Sequence, residues 1–161
     1  MTAKGDPRAL RHEVEELYYD YTECLDDGEL ERWPEFFVDE CLYKIIPRDN
    51  WERGLPLALM LCESKGMLVD RVEALRRASV YAPRALRHLL SNIRIKSTVD
   101  GELQVQANYA VLQTLADEET RILQAGRYVD RVVRAGERLL FREKLCVFDS
   151  VLVPGSLIYP V

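Results

Sequence analysis

The side chains able to do chemistry in this chain are few, and their spacing rules out most of what they could do. There are only two histidines, His12 and His88, and four cysteines, Cys24, Cys41, Cys62 and Cys146. A Rieske cluster needs Cys-x-His and Cys-x-x-His pairs, and no cysteine here has a histidine two or three residues later. A mononuclear iron held by two histidines and a carboxylate requires both histidines to meet. By spacing, His12 falls on the outer side of the first helix, which keeps the two apart. A zinc site fails for the same shortage of ligands. The cysteines form no CxxC pair and each sits in an apolar context, so buried free thiols are expected. There is no GxGxxG, no P-loop and no GxSxG elbow.

Acid–base chemistry remains. Asp20, Tyr18, Tyr21, Tyr43 and His88 could line one pocket, with a buried Asp raised in pKa as general base. The plainer reading makes the tyrosines core or rim aromatics with satisfied hydroxyls and leaves Asp20 in water. On that reading His88, at the start of a long strand, is structural or interfacial.

The elements that position these residues follow from periodicity. Leu10, Val14, Leu17, Tyr18, Tyr21, Cys24 and Leu25 recur at three- and four-residue spacing, predicting an amphipathic helix over 8–26. Asp26, Asp27 and Gly28 end it. A short second helix carries Leu30, Trp33, Phe36 and Phe37 on one face, with Pro34 in its first turns, where a missing N–H matters least. Asp39 and Glu40 turn the chain into a β-rich run, Cys41 to Ile46. A loop over 47–54 holds Arg48 and Trp51. The apolar run after it reads equally as strand or buried helix, and a third helix is expected over 67–78.

From Leu86 the period changes to two. Ile93, Ile95, Ser97 and Val99 alternate before Asp100-Gly101, a hairpin signal, and three more extended segments follow: 103–115, 121–134 and 139–150. Strands this long and sequential imply one strongly curled sheet. The expected fold class is α+β: a cone-shaped domain, with a long curled mainly antiparallel sheet covered by about three N-terminal helices. No linker interrupts it, so residues 1–161 are read as a single domain.

A formal net charge of −5, with arginines interleaved among acids, argues against a nucleic-acid partner. The start, MTAKGDPRALRH, lacks the apolar segment of a secretory signal. The longest apolar run, Leu55 to Cys62, contains Pro56 and falls far short of the roughly 20 residues that span a bilayer. A cytoplasmic protein without membrane contact is expected.

Some surface residues look over-supplied for a monomer. Arg76, Arg77, Arg84 and Arg87 cluster around Tyr81, and Arg48 shares a loop with Trp51. Arginine beside aromatic residues is the composition that protein interfaces favour. The last residues, PGSLIYPV, carry Leu157, Ile158, Tyr159 and Val161, which should dock on this domain's own sheet or on a neighbour's. The candidate interface residues are Arg48, Trp51, Arg76, Tyr81, Arg84, Arg87 and Tyr159.

The ordered combination LDDGELERWPEFFVDECLYKI, GMLVDRVEALRRASVYAPRALRHLLSNIRI, GRYVDRVVRAGERLLFREKLCVFDS and LIYPV resembles the small (beta) subunits of bacterial aromatic-ring-hydroxylating dioxygenases. The stretch PRDNWERGLPLALMLCESKGMLVDRV looks most like subunits of oxygenases acting on benzoate-type acids such as salicylate or terephthalate. The resemblance implies a nuclear-transport-factor-2-like cone that self-associates as a trimer and supports a trimer of large (alpha) subunits. It also implies that the Rieske 2Fe–2S cluster and the mononuclear Fe(II) belong to the large subunit, with electrons arriving from a reductase or ferredoxin. No catalytic residue carries over to this chain. The competing class on the same fold is a stand-alone dehydratase or isomerase using Asp20 and a tyrosine. A purely binding cone-fold module is the third. An interior plugged by Trp33, Phe36 and Phe37 would count against the enzyme.

Overall fold

Helix α1 (Pro7–Asp26) begins where the Asp6 carboxylate accepts a hydrogen bond from the Arg8 amide, with proline in the first turn, where its missing N–H costs nothing. The computed structural model describes residues 6–78, 83–150 and 159–161. The predicted apolar stripe of α1 is its buried face: Val14, Leu17, Tyr18, Tyr21, Cys24 and Leu25. Gly28, at φ +73, makes the left-handed exit. The aromatic segment that follows is a 3-10 helix, Leu30–Phe36, packed against α1.

Strand β1 (Phe37–Pro47) starts earlier than the sequence reading placed it. Asp39 and Glu40 do not turn the chain. Both are exposed inside the strand, where the pairing register shifts between Phe37 and Leu42, as a β-bulge allows. The loop that follows contains one helical turn, α2 (Arg48–Glu52). The apolar run is a strand only at its end and is nowhere a buried helix. Residues 55–59 lie in no regular element, and only Met60–Cys62 pairs, as the edge strand β2. Helix α3 (Lys65–Arg77) is capped by the Ser64 hydroxyl, which accepts from the Met67 amide.

Four long strands complete the sheet: β3 (Arg84–Val99), β4 (Glu102–Leu115), β5 (Arg121–Ala135) and β6 (Arg138–Phe148). Consecutive strands pair antiparallel, and β1 joins β6 in parallel, giving the order β2-β1-β6-β5-β4-β3. The sheet curls without closing, as the strand lengths imply. Alternation along β4 puts Leu103, Val105, Ala107, Tyr109 and Val111 inward, facing the helices. Gly126 marks the tightest approach of β5 to β6: a Cβ there would lie 2.0 Å from the Val147 carbonyl oxygen.

Candidate functional site

The interior of the cone is aromatic. Tyr18, Tyr21, Trp33, Phe37, Tyr43, Tyr128 and Phe141 are fully enclosed. Their rings meet mostly edge to face, as in Trp33 on Tyr43 at 5.0 Å between centroids and Tyr21 on Phe141 at 5.4 Å. Each such pair contributes about 0.5–1.5 kcal/mol beyond the area it buries. Trp33 and Phe37 therefore plug the space that a substrate pocket would need, and Phe36 closes against Tyr21.

Two charges sit inside this aromatic packing. Asp130 of β5 and Lys144 of β6 are direct cross-strand partners, and both are buried. Strand alternation turns them inward together with Tyr128 and Cys146. The Lys144 ammonium donates to Asp130 Oδ2 at 2.9 Å, the Tyr18 hydroxyl donates to the same oxygen, and the Leu145 amide donates to Oδ1 at 3.1 Å. The ammonium also lies over the rings of Tyr128 (3.5 Å), Phe141 (4.4 Å), Tyr21 (4.6 Å) and Tyr18 (4.7 Å). Ring faces are negative, so four rings and one carboxylate together replace the water this ammonium gave up. Burial raises the Asp130 carboxyl above its ordinary value, opposed by the charge of Lys144 and the bond from Tyr18. Burial, then the Asp130 charge, pushes the Tyr18 hydroxyl well up, so it stays a donor.

The acid–base set expected from the sequence is not assembled. Asp20 is exposed on the outer side of α1. Tyr18, Tyr21 and Tyr43 do share the interior, with their hydroxyls engaged. Tyr21 and Tyr43 donate to the Val161 carbonyl at 3.0 and 3.1 Å, and the Val161 amide donates back to Tyr43 at 2.9 Å. The tail thus docks at Val161 inside this chain's own cone; Pro154 to Ile158 lie outside the described residues. His88 has a fully enclosed side chain, with Nδ1 2.6 Å from Asp26 Oδ1 and its backbone N–H on the same carboxylate. Since a carboxylate only accepts, Nδ1 carries the proton, and the contact clamps the end of α1 onto β3.

Asp130 and Lys144 were missed in the sequence reading, although a signal existed. In YVDRV and REKLCV the alternation that turns Tyr128 and Cys146 inward also turns in one acid and one base.

The candidate interface residues separate into groups. Arg48 pairs with Asp149 at 3.2 Å and shares a polar cleft of about 330 Å³ with Trp51 and Arg127. Arg84 bonds Gln113 and lies over the Tyr159 ring at 5.1 Å. Arg76 reaches Glu31 at 2.6 Å and the Gly28 carbonyl at 2.8 Å, bracing α3 against the 3-10 helix. Arg87 lines a cleft with Asp20 and Glu23 of α1. Tyr81 lies outside the described residues.

The residues that could ligate iron do not fit a cluster or a mononuclear site. His12 is exposed on α1 beside Glu16, far from the clamped His88, and all four cysteines are buried free thiols. Burial pushes Cys24 and Cys41 up to about 11 and Cys146 to about 12, so these thiols resist becoming ligands. Among the described residues no group of three or more His, Cys, Asp or Glu could hold a metal ion, and no helix is long and apolar enough to cross a membrane.

A curled, unclosed sheet wrapped on N-terminal helices, with an aromatic interior, is the cone-shaped α+β architecture of nuclear-transport-factor-2-like domains. The chain belongs to the ring hydroxylating beta subunit family, whose model matches residues 22–154. It is 38% identical, over 92% of both chains, to the anthranilate 1,2-dioxygenase small subunit of Burkholderia cepacia. It is 29% identical to the beta 1 subunit of the terminal oxygenase component of terephthalate 1,2-dioxygenase from a Comamonas species, over 88% of this chain and 92% of that one. A crystal structure assigned to the beta subunit of an aromatic-ring-hydroxylating dioxygenase from Novosphingobium aromaticivorans superposes with a TM-score of 0.87 at 40% identity, covering 96% of this chain and 98% of that one.

Proposed function

We propose that this chain is a cytoplasmic, single-domain, non-catalytic structural subunit of a Rieske non-haem iron oxygenase acting on a benzoate-type aromatic acid. It stabilises an assembly of three small and three large subunits. The large subunits hold the 2Fe–2S cluster and the mononuclear Fe(II), and a reductase or ferredoxin supplies electrons to them. The observation that carries the non-catalytic reading is the filled cone. Trp33, Phe37 and Tyr43 occupy its centre, and the charges of Asp130 and Lys144 are satisfied by each other and by Tyr18. An acid–base enzyme needs its base within reach of a bound substrate proton, and a carboxylate held by an ammonium, a phenol and an amide has no such opening. The substrate class is supported by the names of the relatives, which act on anthranilate and terephthalate.

The test is to tag this chain, isolate it gently from its native cells, and record native mass and visible absorbance together. Co-isolation at equal stoichiometry with a larger, brown, Rieske-absorbing chain is the expected result. A colourless homo-oligomer with no partner would sink the reading.

A further inference from the structure

One group in the cone's interior belongs to neither the sheet nor the helices. Residues 159–161 lie in no regular element, yet Val161 is fully enclosed and part of the hydrophobic core. Its contacts are those of a bound molecule. The Val161 carbonyl oxygen accepts from the Tyr21 hydroxyl at 3.0 Å, the Tyr43 hydroxyl at 3.1 Å and the Cys146 thiol at 3.4 Å. The Val161 N–H donates to the same Tyr43 hydroxyl at 2.9 Å. Three donors from α1, β1 and β6 thus converge on one acyl oxygen, and Tyr43 reads both main-chain groups of a single residue.

Groups other than the tail hold this cradle in place. The Tyr21 hydroxyl accepts from the Trp33 indole N–H at 3.2 Å, and Phe36, Phe37 and Phe141 meet its ring edge to face. Tyr43 packs the same way on Trp33 and Phe37, and Cys146 is set in β6 opposite Tyr128. Burial pushes the Tyr21 and Tyr43 hydroxyls well up and the Cys146 thiol up to about 12, so all three remain uncharged donors. An empty cradle would leave two phenols and a thiol enclosed without an acceptor, which is costly. Uncharged donors suit a neutral carbonyl, and the apolar surroundings suit a compact branched group beside it.

We propose that the Tyr21–Tyr43–Cys146 cradle is a binding site for an N-acylated, branched L-amino acyl group, occupied by the chain's own Val161 and open to the same chemistry in trans. Contacts at the N–H, the carbonyl and the side chain give three points of attachment, so the site distinguishes L from D. Tyr159 is only partly buried, with Arg84 over its ring at 5.1 Å, so the occupant touches solvent two residues before the cradle. The site belongs to this chain alone and stands whether or not a large subunit binds.

The full-length chain carrying Val161→Asp tests this, because a carboxylate is expelled from an apolar cradle and leaves it vacant. The probe is N-acetyl-L-valinamide. A fragment of this size binds with a Kd of about 1 mM, so about 20 mM should raise the variant's Tm by about 3–6 °C. N-acetyl-D-valinamide and N-acetylglycinamide should give clearly smaller shifts. Wild type should give none, since Val161 fills the site, and adding Tyr43→Phe to the variant should remove most of the response. Should Val161→Asp fail to fold, Val161→Gly, which keeps the tail's backbone without its anchor, takes its place. Failure of both to fold would make the valine an inseparable part of the core and overturn the proposal. So would a folded variant that shows no shift, an equal shift from the D isomer, or an equal shift in wild type.

Discussion

Asp130 and Lys144 face each other across β5 and β6 as a fully enclosed ion pair, 2.9 Å apart, in a cone otherwise packed with aromatic rings. Removing one partner strands the other charge in a medium that cannot solvate it. Asp130→Asn should therefore lower unfolding stability by about 3–5 kcal/mol in urea titrations, whereas replacing both with apolar residues of similar volume should recover most of that loss. A double variant as unstable as the single one would show that the pair contributes through something other than mutual neutralisation.

The same pair has a pH signature. Burial raises the folded-state Asp130 carboxyl above its ordinary 3.8. A raised carboxyl makes ionised Asp130 a destabilising group, fully so above the folded value and relieved as pH falls through it. Lys144→Met removes the largest opposing influence, so the variant should be most destabilised near neutral pH and approach wild type on acidification. Urea midpoints for both proteins across that range check this. A deficit that grows with acid would contradict it.

Arg76 and Glu31 give the opposite sign. The bond from Arg76 holds the Glu31 carboxyl down at about 2, against an ordinary 4.5. A depressed carboxyl contributes stability above pH 4.5 and loses it as pH falls toward 2. Both side chains are about half exposed, so solvent screening limits the contribution to below about 1 kcal/mol. Arg76→Gln should remove that increment at pH 7 and leave stability at the acid end of the window unchanged.

The Asp26 carboxylate accepts from both the amide and the ring of His88. Asp26→Ala leaves two buried donors unpaired and should cost about 1–3 kcal/mol per stranded group, less what water recovers. Hydrogen exchange should show the His88 amide among those that lose protection. Unchanged protection there would mean that α1 does not depend on this clamp.

Gly126 has no room for a side chain, because a Cβ would meet backbone atoms of Val147 and Phe148 rather than a side chain able to move. Gly126→Ala should destabilise by at least the 1–3 kcal/mol typical of overpacking. A neutral thermal shift would mean that β5 and β6 separate more easily than their ladder implies.

Much of the architecture was legible in the residues. The apolar period of 3.6 marked α1 and α3, and the period of two marked the long strands, because both patterns are imposed by one buried face. The residues left open whether Trp33, Phe36 and Phe37 plug the interior, which the packing of Trp33 on Phe37 and Tyr43 decides. What the chain order concealed was decided by pairing in space. Periodicity could not reveal that the Leu55 to Leu61 run stays outside, because exposure depends on its falling beside an edge strand. Nor could it tell that Asp39 and Glu40 bulge within β1, which the parallel register with β6 reveals. Asp130 and Lys144 stood in the sequence as two ordinary charges fourteen positions apart. Only the antiparallel register of β5 and β6 makes them one neutral unit, since a slip of a single residue between the two strands would put them on opposite faces of the sheet.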